Sequence, residues 1–279
     1  MVETLLLIAG GAVAGGIGSL LGLGGGILII PLLTLGFDVP LRAAVGVSLV
    51  SVIVTSGASA AVFLERRVAD LRLGMTLELF TAGGALFGAF VAFLVEERLL
   101  AALFSGLLVY TGVSMIRSGR QPGAPGADVV AASGTPTALV TPTTPGTPST
   151  HPGDYQVRNI GRGAAVSTGA GVISALLGVG GGIIMVPVMH LTMGVPLRVA
   201  TATSNLMIGV TASAAALVYL ARGGIDPYIA GPVAVGAFLG ASAGSRLAPR
   251  IPLDRLRILF VAIVLYSAAL MIRRALGVA

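Results

Sequence analysis

The chain has no cysteine, no tryptophan and no lysine, and only two histidines in 279 residues. Without cysteine there are no disulfides, thiolate metal sites, thiol redox steps or thioether haem links. Without lysine there is no Schiff base of the retinal type and no phosphate loop ending in Gly-Lys-Ser/Thr. Neither a Ser–His–acid set nor a paired-histidine metal pattern occurs, so no catalytic constellation emerges. No enzyme activity, metal or cofactor is expected. Charge is scarce as well. Only 10% of the residues are charged, against about 25% in a soluble domain.

What is present points to a bilayer. Hydrophobic residues make up 55% of the chain, and apolar runs of around 20 residues recur, each long enough to cross the hydrocarbon as a helix. The 41 glycines suit helices whose backbones approach closely in lipid. All 17 basic residues are arginine and the net charge is +6. A sequence pI near 10.7 would suggest nucleic acid in a soluble protein. Here the arginines sit between apolar runs as topology anchors, and no basic stripe supports nucleic-acid binding. The opening Met-Val-Glu-Thr-Leu lacks the basic region of a cleaved signal peptide and reads as the start of the first membrane element.

The dominant feature is an internal duplication. Shifted by 156 positions, the chain aligns on itself without a gap. Gly22, Gly24, Gly25 and Gly26 fall on Gly178, Gly180, Gly181 and Gly182, and Pro31 falls on Pro187. Val39-Pro40-Leu41-Arg42 falls on Val195-Pro196-Leu197-Arg198, Ser48 on Ser204, Arg66 on Arg222, Asp70 on Asp226 and Tyr110 on Tyr266. Apolar composition alone matches Leu with Val, not Gly, Pro, Arg and Asp in register. The chain therefore divides into a first membrane repeat (1–119), a Pro/Thr/Gly linker (120–157) and a second membrane repeat (158–279). The linker's composition favours disorder.

Each half opens with a glycine-broken apolar stretch, Thr4 to Gly36 and Gly163 to Met193. Three further runs follow in each: Arg42–Leu64, Leu73–Val95 and Leu99–Ile116, then Arg198–Leu220, Pro227–Leu247 and Leu253–Ile272. If the broken stretch crosses once, the repeats are parallel. If it turns back as a hairpin, the second repeat is inverted. Positive residues collect on the cytoplasmic side. The inverted arrangement puts 12 arginines on one face and leaves Arg42, Arg98, Arg222, Arg273 and Arg274 on the other; the parallel arrangement splits them 10 to 7. The arginines thus favour an all-α, polytopic membrane protein of two inverted halves, each a glycine-broken hairpin followed by three transmembrane helices. In the cell membrane this places the linker in the cytoplasm and the termini outside.

Chemistry concentrates at the breaks. Four glycines in five residues make poor helix interior. Unwound backbone at membrane depth is tolerated where it is buried in protein or lines a cavity. A helix restarting at Gly25 or Gly181 turns free N–H groups and the positive end of its dipole toward that cavity, an anion site without a charged side chain. The glycines serve tight hairpin packing equally well. The resemblance to the dinucleotide fingerprint is weak, since no βαβ unit exists here. The candidate substrate residues are Gly24, Gly25, Gly26 and Ser48 in the first half, and Gly180, Gly181, Gly182, Thr203, Ser204 and Asn205 in the second. Ser48 and Ser204 lie about two turns into their helices, roughly 9–10 Å from the start. Their hydroxyls can donate to an oxyanion or bond within the bundle. Thr203 and Asn205 are more polar than their counterparts Val47 and Leu49, so the second half contributes more to an asymmetric site.

Arg42 and Arg198 open their helices, where each can attract an anion or snorkel to headgroups. Glu78 is an acid inside an apolar run and a candidate for proton coupling, although Ala234 is its repeat mate. His190 is expected at the interface. Gly84-xxx-Gly88 and Gly240-xxx-Gly244 read as helix-packing faces.

The duplicated pattern Gly-Leu-Gly-Gly-Gly-Ile, Pro, Val-Pro-Leu-Arg and Ser resembles the TauE/SafE family of sulfite exporters. The matching stretches are Gly22–Ser48 and Gly178–Asn205, and the likeness covers both halves. It implies transport of sulfite, thiosulfate, sulfonates and related organosulfur anions across the cytoplasmic membrane. It also implies that Gly24–Gly26, Gly180–Gly182, Ser48 and Ser204 lie nearest the substrate. The long Thr-Pro linker departs from the compact central loop expected of the family. The expected function is a proton-coupled secondary exporter of a small sulfur anion. A passive anion channel, a membrane enzyme, and a scaffold or receptor subunit stand as rivals. The expected partners are the anion and the lipid bilayer; a second copy of the chain is admitted, with no motif fixing the oligomeric state.

Overall fold

The computed structural model describes residues 2–20, 25–65, 69–118, 159–247 and 253–275. Gly24 and the linker lie outside them. Among the described residues all regular structure is helical. The first half holds α1 (Val2–Leu20), α2 (Gly26–Gly36), α3 (Leu41–Glu65), α4 (Leu71–Ala92) and α5 (Glu97–Ser118). The second holds α6 (Ile160–Leu177), α7 (Gly182–Pro187, prolonged by a π turn at Val188–Thr192), α8 (Leu197–Ala221), α9 (Pro227–Leu247) and α10 (Leu253–Ala275). The order of elements is the same in both halves.

Polar caps set several helix starts. Asp70 accepts from the Leu73 N–H at 3.0 Å, at the head of α4. Leu41 N–H, at the head of α3, donates to Glu97 Oε1 at 2.6 Å, which ties α3 to the start of α5. Both satisfy N–H groups that a helix leaves free in its first turn.

The glycine breaks turn the chain back on itself. A Cβ on Gly10 would meet Leu32, and one on Gly25 would meet Ala14, so α1 and α2 run antiparallel. Gly163 against Met193, and Gly181 against Ser174, give the same for α6 and α7. Gly25 (φ 75°) and Gly181 (φ 73°) are the N-caps of α2 and α7. Both are left-handed, a conformation that costs an L-residue about 1–2 kcal/mol.

Packing exchanges the halves. α1 lies along α9, and α6, the repeat mate of α1, lies along α4. α3 packs on its own mate α8, and α5 on its mate α10. The contacts of α3 with α8 have a direction. Gly46 abuts Gly224, just past the end of α8, whereas Ser56 reaches Asn205, in its first half, and Gly209, at its middle. The two mates therefore cross antiparallel.

The small-residue faces do what their spacing predicts. A Cβ on Gly88 would stand 2.5 Å from the Val172 carbonyl, and one on Gly244 2.8 Å from that of Gly16. Gly88→Ala is expected to destabilise the protein by about 1–3 kcal/mol through overpacking, read as a lower melting midpoint in detergent. An unchanged midpoint would contradict this close approach.

Among the described residues, five helices are long and apolar enough to cross a membrane, including Leu71–Ala92 and Val199–Ala221. Leu79, Phe87 and Leu217 are exposed, as expected where lipid is the solvent. The chain is a multi-pass membrane protein.

Candidate functional site

Several of the residues singled out in the sequence meet where the two glycine breaks approach each other. The Ser48 hydroxyl, on α3, donates to the carbonyl of Gly178 in the opposite half at 2.7 Å. It also lies 3.3 Å from the Gly26 carbonyl of its own hairpin. A Cβ on Gly26 would fall 2.7 Å from that same Gly178 oxygen. One serine thus bridges both breaks. Its hydrogen is spent on backbone, so in this conformation Ser48 holds the site together rather than facing a ligand.

The second break carries hydroxyls that are not spent. Ser204 and Ser174 are buried, and neither Oγ has a hydrogen-bond partner. A Cβ on Gly182 would lie 3.5 Å from Ser204 Oγ, and one on Gly181 3.4 Å from Ser174 Oγ. A buried hydroxyl without a partner is costly, which marks the place where a ligand oxygen would be welcome. The space between the breaks is filled by Val52 and Ile208, which are repeat mates. A Cβ on Gly180 would meet Ile208 Cγ2 at 2.7 Å and Val52 Cγ1 at 2.9 Å. The centre is closed by apolar side chains.

Other sequence candidates lie elsewhere. Thr203 Oγ1 accepts from the Asp70 N–H at 2.9 Å, linking α8 to the start of α4. Asn205 Nδ2 donates to Thr201 O within its own helix, and its backbone carbonyl accepts from Ser56. Glu78 Oε1 accepts from Thr211 at 2.9 Å, between α4 and α8. Thr211 stands two turns beyond Ser204 on the same face of α8, about 10 Å along its axis. His190 is half-buried, its Nδ1 bonded to Val195 O at 2.9 Å.

Arg42 marks one mouth. Its Nη2 donates to Val95 O at 2.8 Å, and its guanidinium lies 5.4 Å from the Phe93 ring centre. Arg222, from the other half, stacks on Phe90 at 4.8 Å and reaches the same Phe93 at 5.9 Å. Tyr219 packs on Phe93 with centroids 5.0 Å apart and donates to Ala175 O at 3.3 Å. Arg42 Nε is buried and unpartnered. Beside this mouth a cavity of about 300 Å³ is lined by Thr34, Asp38, Leu41, Glu97 and Arg98 among others. The backbone of Arg198 lies in the first turn of α8, at the opposite end of the antiparallel pair.

Residues 7–271 match the model of the family described as "Sulfite exporter TauE/SafE". The chain belongs to that family. It is also 28% identical over 251 residues to "Probable membrane transporter protein YunE" of Bacillus subtilis (strain 168), covering 87% of this chain and 88% of that protein. No solved structure matches it. As a TauE/SafE member the protein is a membrane transporter rather than an enzyme, which agrees with a sequence that lacks any acid–base or metal constellation.

For a TauE/SafE transporter the instructive residues are those the sequence left unmarked, Ser174, Val52, Ile208 and Phe93, together with Arg222, marked only as a topology anchor. The two repeat-mate serines should also separate experimentally. Ser48→Ala strands a buried carbonyl and should cost about 1–3 kcal/mol, lowering the melting midpoint. Ser204→Ala breaks no bond, so its midpoint should stay near wild type while anion flux falls. Equal midpoints for the two variants would contradict the asymmetry.

Proposed function

We propose that this protein is a secondary transporter, acting as an exporter, of a small sulfur-containing anion such as sulfite, thiosulfate or an organosulfonate. The observation that carries the reading is the pair of buried, unpartnered hydroxyls, Ser174 and Ser204, at the point where both glycine breaks meet. An oxyanion entering there accepts from both hydroxyls, beside the backbone of Gly181 and Gly182. Each donor is neutral, so the site holds the anion without trapping it against a buried cation.

The halves are inverted in this reading, with the second hairpin entering from the cytoplasm. Two observations support it. The repeat mates α3 and α8 cross antiparallel. Arg42 and Arg222, which a parallel arrangement sends to opposite faces, share one aromatic ring. Alternating access then consists of parting Val52 from Ile208 on one side at a time, as inverted repeats rock about a central site. Glu78, bonded to Thr211 two turns beyond Ser204 on α8, is the group through which the proton gradient couples.

Purified protein in liposomes tests this. Labelled sulfite, thiosulfate or a small sulfonate should be taken up, uptake should respond to an imposed pH gradient, and unlabelled substrate on the far side should stimulate counterflow. Flux without counterflow would indicate a channel. No flux for any of these anions, in folded protein, would refute the reading.

A further inference from the structure

One crevice lies apart from the glycine breaks. It lies between α4 and α8, has a volume of about 360 Å³, and is walled by Met75, Leu79, Leu206 and Val210, with Glu78 among its lining residues. Met75 (67% exposed), Leu79 (75%) and Val210 (52%) form its rim. It therefore opens toward lipid rather than toward an aqueous mouth. Glu78 is 9% exposed. One of its oxygens accepts from Thr211; the other is buried with no partner.

Shared packing does not require this carboxyl. In the other half, α9 packs on α3 as α4 packs on α8, yet Ala234 stands in place of Glu78. Thr55 stands in place of Thr211, bonded to Ser51 O of its own helix at 3.0 Å. An acid that the repeat does without, at a lipid-facing pocket, calls for a partner from outside the chain. A buried carboxyl oxygen without a hydrogen-bond partner is costly. The volume falls within the range of small-molecule sites, about 300–1,000 Å³.

We propose that this crevice binds a membrane-dissolved cationic amphiphile, an apolar body carrying one protonated amine. The ammonium donates to the free oxygen of Glu78, and the body lies between the Met75–Leu79 wall and Val210. A long-chain alcohol supplies a donor but no charge, and a long-chain sulfate is repelled. Glu78 is also the coupling group proposed above, so the test reads binding and not flux.

The probe is a dodecylamine bearing a diazirine, photolysed with full-length protein in phosphatidylcholine liposomes. Labelling should fall on α4 and α8 peptides around Met75, Leu79 and Val210. Dodecylamine should compete, whereas dodecanol and dodecyl sulfate should not. Glu78→Gln should lower labelling about tenfold or more, the range of a hydrogen bond to a charged group. Val210→Trp leaves Glu78 intact and fills the rim, so it should block labelling too, and it decides the matter if Glu78→Gln does not fold. Undiminished labelling in a folded variant, or equal competition by dodecanol, would overturn the proposal.

Discussion

Valine at both Gly25 and Gly181 is expected to lower anion flux by about a hundredfold while leaving a folded, membrane-inserted protein. Both glycines are left-handed N-caps. Each substitution forces an L-residue into a conformation that costs about 1–2 kcal/mol, and β-branching worsens it. At about 1.4 kcal/mol per decade, two such strains amount to roughly a hundredfold if they are relieved by shifting the helix heads away from the centre. Folding should survive, because the broad interfaces of α1 with α9 and of α4 with α6 do not include either residue. Flux in proteoliposomes, beside size-exclusion profiles, provides the check. Wild-type flux from the double variant would remove the glycine breaks from the mechanism.

The mouth gives the second large effect. Arg42→Gln combined with Arg222→Gln should raise the KM for the anion about tenfold or more, with kcat little altered. Both guanidiniums rest on Phe93, and Arg42 keeps one buried N–H unsatisfied. A hydrogen bond to a charged group contributes about 1.5–3 kcal/mol, and positive charge at the mouth raises the local anion concentration. The KM change should be larger at low ionic strength, where screening is weaker, and larger for substrate offered on the Arg42 side. If KM holds and only the melting midpoint falls, the two arginines are packing on aromatic rings and nothing more.

Much of the architecture was legible because Gly, Pro, Arg and Asp recur in register through otherwise interchangeable apolar sequence. The hairpins, the long helices and the Gly84 and Gly240 faces all follow from those residues. The centre was only half legible. Ser48 is visible as a hydroxyl inside an apolar helix, but its partner is a carbonyl 130 positions away, and no local pattern identifies that. Val52 and Ile208 cannot be told from other apolar residues until the fold sets them between the breaks. Thr203 and Asn205 are polar for structural reasons: one receives the Asp70 N–H from the start of α4, and the other returns a bond to its own helix. Arg222 was readable as a topology anchor. Its place beside Arg42 required knowing that α3 and α8 oppose each other.

Sidedness tests the central claim, that two oppositely oriented halves bring their breaks to one site. Gly36 and Thr192 are repeat mates at the ends of the two short returning helices, and both are exposed. The native chain has no cysteine, so Gly36→Cys and Thr192→Cys are single-cysteine proteins without further change. A membrane-impermeant maleimide applied to intact cells should label position 36 from outside and reach position 192 only after the membrane is opened. Labelling of both positions from the same side would contradict inversion, and with it a shared site between the glycine breaks.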